Sequence, residues 1–270
     1  MEQEVITSAA NKDVKLLRSL HERKYRKQTG WFLAEGMRIC CEAIELGYAP
    51  VRLVYAAGRE RDPLIERLIS SCESAGGRAM SVAPDLLGRI SRKDNPQMVI
   101  GAFTQNWQTE DAICPDSNAL WIALDRVRDP GNLGTIMRTA DAVGATGIIL
   151  IDDCTDPYSL EAVRASMGAI FNVQLVKMTP EAFATFATSW TQDHQGAIIG
   201  TALQASVDYR EADYSRATIM LMGNEQAGLT SYLRETTTQL IRMPMQGRSD
   251  SLNLAVATGV SLYEWLRHRT

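Results

Sequence analysis

The 270-residue sequence has no surplus of positive charge: Lys and Arg together number 28 against 32 Asp and Glu, leaving a net charge of −4. That balance excludes a uniformly basic nucleic-acid coat, though not a local basic patch. Histidine is scarce, with three residues far apart, and the five cysteines (Cys40, Cys41, Cys72, Cys114, Cys154) contain no C-x-x-C pair. Neither a metal-ligand cluster nor a disulfide framework is therefore expected. The opening residues MEQEVITSAANKDVK lack the basic start and apolar core of a secretory signal, which predicts a cytoplasmic protein. Long hydrophobic runs are missing too. The most apolar stretch, 251–263, is interrupted by Asn253, Thr258 and Ser261 and falls short of the roughly 18 apolar residues that cross a membrane, so it reads as an amphipathic helix.

What the sequence does contain is alternation of helical and strand periodicities almost throughout, the pattern of an α/β protein with a mostly parallel sheet. The first hundred residues read as a small α/β domain. Residues such as Trp107, Pro115 and the acids between them follow neither period, so the expected division is a first domain over 1–106, a linker over 107–118 and a second domain over 119–270. In the second domain, a strand at 120–124 leads through DRVRDPG into a helix at 132–143 and a strand at 147–151. Further strands and helices follow, ending in a C-terminal helix.

The acidic average hides one cationic segment. Between Lys12 and Lys27 seven cations face two acids, and Lys12, Lys15, Arg23, Lys24, Arg26 and Lys27 are the candidates for contact with RNA. Tyr25, Trp31 and Phe32 add π faces that suit unpaired bases. A solvated helix face explains the same charges equally well.

Three loops could carry chemistry. DRVRDPGNLGTIMR (125–138) makes a turn at Asp129, Pro130 and Gly131, offers Asn132 as a cap and presents helix N–H groups to an anion. Asp152 lies 21 residues beyond Gly131, which imitates a dinucleotide fingerprint, but the loop lacks G-x-G-x-x-G spacing. Arg138 points away from the stripe of Leu133, Ile136, Ala140 and Val143. Its bland reading is an i,i+3 ion pair with Asp141. LMGNEQAGL (221–229) carries Glu225 between Gly223 and Gly228, or is a plain strand-to-helix turn. IRMPMQGRSDSLNLA (241–255) offers an apolar wall in Met243 and Met245 and hydrogen-bonding groups in Ser251 and Asn253, with Ser251 equally suited to a capping turn.

Taken together and in this order, NLGTIMRTADAVGA, LMGNEQAGL and MPMQGRSDSLNLAVATGVSLYEW resemble the three signature motifs of the SpoU, or TrmH-like, RNA 2′-O-ribose methyltransferases of the knotted SPOUT superfamily. The N-terminal region, through KLLRSLHERKYRKQTGWFLAEG and NPQMVIGAF, resembles the family's L30e-like substrate-binding domain. The resemblance implies a C-terminal α/β domain with a deep trefoil knot, an exception to the rule that connections are un-knotted. It further implies S-adenosylmethionine as cofactor, held by Thr201, Ala202, Gly223, Met243 and Leu252, and polar active-site positions at Asn132, Arg138, Glu225, Ser251 and Asn253.

Arg138 is the position to which the family's activation of the ribose hydroxyl is assigned. Because a guanidinium stays protonated, a phosphate clamp that also stabilises the developing alkoxide suits it better than general-base work. A cofactor whose sulfonium already activates the methyl group needs no metal. The implied substrate is 23S-type ribosomal RNA, with tRNA ribose methylation or a non-catalytic RNA-binding role in ribosome assembly as the alternatives. The implied assembly is a homodimer through the knotted domain, with Leu252, Val256, Val260 and Tyr263 forming a stripe that a partner or the chain's own core would cover.

Overall fold

The computed structural model describes residues 5–93, 95–116, 118–205 and 207–269. The chain divides into two compact units, one of Met1–Gln105 with Asp156–Phe171, the other of Asn106–Thr155 with Asn172–Thr270.

The first unit begins with α1 (Lys12–Ser19), α2 (Arg23–Thr29), β1 (Trp31–Glu35), α3 (Met37–Glu45), β2 (Arg52–Ala56), α4 (Pro63–Ser74), β3 (Arg78–Val82), α5 (Pro84–Ser91) and β4 (Val99–Thr104). Its four strands lie in the order β1-β4-β2-β3, with β2 and β3 parallel and the other pairs antiparallel. Val14 and Leu17 of α1 and Ile90 of α5 pack with Leu33, Val54 and Ile100 of the sheet. The helix ends follow local chemistry. The Asn11 side chain accepts from Asp13 N and Val14 N to start α1, and Asp62 accepts from Leu64 N with Pro63 at the first position of α4.

The second unit continues with β5 (Trp107–Gln108), β6 (Leu120–Asp125), α6 (Pro130–Ala142) and β7 (Gly147–Ile151). The next helix, α7 (Leu160–Ser166), belongs to the first unit. After it come β8 (Gln174–Met178), α8 (Pro180–Gln192), β9 (Ala197–Thr201), β10 (Val207–Asp208), β11 (Thr218–Met222), α9 (Ser231–Arg234), β12 (Gln239–Arg242) and α10 (Leu254–Arg267). The eight strands form one sheet in the order β10-β12-β9-β11-β6-β7-β8-β5, and every neighbouring pair is parallel. A parallel sheet covered on both faces needs strands apolar on both sides, and all residues of β6, β7 and β11 are buried. Trp121, Ile149, Phe183, Trp190 and Ile219 anchor its main core.

Two stretches depart from the sequence reading. Residues 107–118, expected as a linker, contribute β5, whose Trp107 and Gln108 pair with Leu175 and Val176, and then a 3-10 turn at Glu110–Ala112. A two-residue strand is too short to show a period. Within the expected second domain, Asp156–Phe171 packs in the first unit, because Tyr158 and Phe171 stack on Phe32 with ring centroids 4.8 and 5.6 Å away and Asp156 pairs with Arg26.

The C-terminal helix α10 packs on α6 with Gly259 beside Thr139. Its buried face is Leu254, Ala255, Thr258, Ser261, Leu262 and Trp265, with the Thr258 and Ser261 hydroxyls donating to the carbonyls of Leu254 and Ala257. Leu252, Val256, Val260 and Tyr263 are exposed, so the chain's own core does not cover that stripe. No helix among the described residues is long and apolar enough to cross a membrane.

Candidate active site

β6 ends at Asp125, which is buried and accepts from both Arg126 Nε and Thr230 N, so it ties the end of β6 to the segment after β11. The chain then turns through Arg126, whose φ of 50° is in the left-handed region that few non-glycine residues adopt. Asp129, rather than Asn132, caps α6: its Oδ1 accepts from Asn132 N at 2.6 Å. Asn132 therefore sits inside the first helical turn with its side-chain amide released for other partners.

The loop after β11 closes on itself. The Asn224 side-chain oxygen accepts from Gln226 N and Ala227 N, its backbone pairs with that of Gly228, and its Nδ2 donates to Arg126 O at 2.8 Å. A Cβ on Gly223 would lie 2.3 Å from the carbonyl carbon of Gly228 and from Leu229 N, so the position has no room for a side chain. This tight return presents Glu225 to the start of α6. Its carboxylate faces Arg128 N and Asp129 N at 3.4 Å and accepts from Asn132 Nδ2 at 3.3 Å. A carboxylate at a helix N-terminus interacts favourably with the unsatisfied N–H groups and the dipole there.

The third loop joins through Asn253. As the N-cap of α10 it accepts from Ala255 N and Val256 N, while its Nδ2 donates to Asn132 Oδ1 at 2.9 Å. Asn253, Asn132 and Glu225 thus form one hydrogen-bonded relay across all three sequence loops. Asn253 holds the capping role that the sequence leaves open to Ser251.

Beside this relay lies a cavity of about 330 Å³ at the C-terminal ends of β9, β11 and β12, at the low end of the roughly 300–1,000 Å³ typical of small-molecule sites. Thr201, Ala202, Gly223, Met243 and Leu252 all line it, as do Glu225 and Ser251. Arg234 and Arg242 also line it. The sequence reading passed over both because an arginine at the end of a short helix or a strand has no distinctive local pattern.

Arg138 is exposed on α6 and does not line the cavity. The Asp141 pair expected for it is absent, because Asp141 instead accepts from Asn172 Nδ2. Arg138 adjoins Thr139, the residue facing Gly259 of α10.

In the first unit, Lys12, Lys15, Arg23, Lys24 and Lys27 are exposed on α1 and α2. Arg26, expected among them, is instead 4% exposed: it forms an ion pair with Asp156 at 2.7 Å and donates to the carbonyls of Leu20 and His21 at 2.8 Å. Nor are the three expected π faces equally available. Phe32 is core, and the Arg52 guanidinium lies 5.2 Å from the Trp31 ring, leaving Tyr25 partly exposed with the Lys24 ammonium 5.9 Å from its ring. No group of three or more His, Cys, Asp or Glu among the described residues is arranged to hold a metal ion.

Loops beyond the carboxyl ends of parallel strands, meeting around a cavity, define an α/β protein with a small-molecule site in the usual place for that architecture. Comparison with known proteins is more specific: residues 119–263 match the SpoU rRNA Methylase family and residues 11–101 the MRM3-like substrate binding domain. The chain belongs to the SpoU methylase family, and its C-terminal part carries that family's knotted α/β fold.

Among solved structures it is similar to an AdoMet-bound rRNA methyltransferase from Sinorhizobium meliloti, with 43% identity, a TM-score of 0.91 and full coverage of both chains. It is also similar to the SpoU methyltransferase AviRb from Streptomyces viridochromogenes in complex with AdoMet, with 29% identity, a TM-score of 0.86 and coverage of 96% and 98%. Among curated relatives, the 23S rRNA (guanosine(2553)-2′-O)-methyltransferase RlmP of Bacillus subtilis is 30% identical over 96% of this chain and 97% of its own.

Proposed function

We propose that this chain is an S-adenosylmethionine-dependent methyltransferase that modifies a ribose 2′-hydroxyl in ribosomal RNA, with 23S-type RNA as the substrate. The observation that carries the reading is the Asn253–Asn132–Glu225 relay beside a cavity lined by all five expected cofactor residues. The kinship with cofactor-bound rRNA methyltransferases and with 23S rRNA ribose methyltransferases supports it. The lining fits the cofactor chemically: Met243, Leu252 and Leu254 offer apolar surface to a base, while Thr201 and Ser251 offer hydroxyls.

When bound, the cofactor supplies a methyl group already activated by a sulfonium centre. The chain positions and neutralises. Glu225, engaged by two backbone N–H groups and an amide, holds the second loop against α6. Asn132 and Asn253 fix the rim where the ribose enters, and Ser251 hydrogen-bonds near it. Arg138 is a permanent cation with no acceptor among the described residues, so it is available to clamp an RNA phosphate and stabilise the alkoxide forming at the 2′-oxygen. The hydroxyl proton passes to an RNA phosphate oxygen. Lys12, Lys15, Arg23, Lys24 and Lys27 hold the RNA on the first unit.

The exposed stripe of Leu252, Val256, Val260 and Tyr263 is the face through which two copies join. The enzyme works in the cytoplasm, in keeping with the polar opening of the sequence.

The test is incubation with methyl-labelled S-adenosylmethionine and total RNA from a strain lacking the gene, followed by digestion to nucleosides. Label in a 2′-O-methylnucleoside from the large ribosomal RNA, lost with Arg138→Ala, is expected. Label on a base would overturn the ribose chemistry, and label confined to tRNA would overturn the choice of RNA.

A further inference from the structure

The second unit sorts its arginines into two groups. Arg126, Arg128, Arg210, Arg216 and Arg267 each hold a carboxylate, and Arg269 donates to Asn118 and to the carbonyl of Arg216. Arg138, Arg234, Arg242 and Arg248 have no acceptor among the described residues. Of these four, Arg234 and Arg242 line the cavity.

The position of Arg242 makes its freedom informative. It is in register with Asp208 on the neighbouring strand β10, the natural place for a cross-strand ion pair. Asp208 is nevertheless committed to Arg210, whose Nε and Nη2 reach its two oxygens at 2.8 Å each while Arg210 N adds a third bond. The charge of Arg242 reaches Asp208 through space, but the hydrogen bonds of that carboxylate go to Arg210, so the guanidinium donors of Arg242 remain unspent. Arg234 is held at the end of α9 by its own backbone: its N–H bonds to Thr230 O and its carbonyl accepts from the Thr237 hydroxyl.

We propose that Arg234 and Arg242 clamp the carboxylate of the cofactor's methionyl end and so set which way the cofactor lies in the cavity; this rests on the reading of that cavity as the S-adenosylmethionine site. The charge layout of the sheet supplies the direction. In the order β12-β9-β11-β6, Arg242 leaves from β12, whereas Glu225 follows β11 and is tied to the start of α6 beyond β6. A carboxylate entering a cavity loses its water and needs charged donors in return, which a guanidinium supplies in a planar fork. With the carboxylate held there, the sulfonium centre, which joins the methionyl chain to the adenosine, faces Glu225 and the relay, where the ribose enters.

Calorimetric titration of the full-length protein tests this with three ligands: S-adenosylmethionine, its decarboxylated analogue, and 5′-methylthioadenosine, which lacks the amino-acid end. Arg242→Ala and Arg234→Ala are each expected to weaken S-adenosylmethionine about tenfold or more. Both should bind 5′-methylthioadenosine as the wild type does, which also reports an intact cavity. The wild type should prefer the cofactor to its decarboxylated analogue, and the double variant should lose that preference. Unchanged cofactor affinity in the double variant would overturn the clamp, and a raised KM for RNA in that case would assign the two cations to phosphate. Equal weakening of cofactor and 5′-methylthioadenosine would overturn it as well, pointing to a structural role. A wild type that binds none of the three ligands would instead refute the cofactor reading on which the clamp depends.

Discussion

Arg26 changes meaning most between sequence and fold. In the sequence it is one of seven cations in a short segment; in the structure it is buried, paired with Asp156 and spanning two carbonyls. Removing one partner of a buried pair leaves the other charge without compensation, so Arg26→Ala should destabilise the protein by about 3–5 kcal/mol in denaturant unfolding. Lys24→Ala with Lys27→Ala should leave stability within about 0.5 kcal/mol and weaken RNA binding with a shallower salt dependence. Nearby, His21 places Nε2 2.6 Å from Ile90 O, and burial, helped by the charges of Arg92, Arg164 and Arg26, holds its pKa below 6.5. The unfolded chain therefore takes up this proton at a higher pH than the folded one. The stability His21 contributes is complete above pH 6.5 and is lost as the pH falls through that value. The thermal midpoint of the wild type should drop more than that of His21→Gln between about pH 7.5 and 5.5.

Among the elements, α6 shows what a sequence can and cannot disclose. Its apolar stripe and the turn before it mark a helix after a strand, and β7 lies where periodicity puts it. The choice of Asp129 over Asn132 as cap was not legible, since both residue types cap equally well and the distinction rests on where a distant carboxylate, Glu225, docks. The same holds for the relay: each loop read alone is a turn, and only their order in the chain pointed to a common site. Helix α2 has no apolar stripe in its seven residues, and Arg26, buried through its ion pair, takes the place of one. Asp129→Ala should cost about 1 kcal/mol of stability, read from the thermal midpoint. It should also lower turnover, because it loosens the turn that presents Arg128 N and Asp129 N to Glu225.

For the whole molecule, the uncovered stripe of α10 makes an assembly prediction. Val256 and Tyr263 are 53% and 56% exposed, and an apolar row of this kind on a helix is a contact surface waiting for an occupant. In the dimer proposed above, Val256→Asp with Tyr263→Asp should break the contact and leave a monomer in sedimentation equilibrium with the far-ultraviolet circular dichroism unchanged.

The interleaving of the two units has a consequence for the order in which the chain can fold during synthesis. β6, α6 and β7 leave the ribosome before Asp156 and Tyr158 do, so the guanidinium of Arg26 waits without its carboxylate, and Phe32 without its ring partner, while some fifty residues of the other unit emerge. The N-terminal unit, although it starts first, closes late, and a gene cut at its apparent boundary would encode a fragment with a buried positive charge and an open aromatic core.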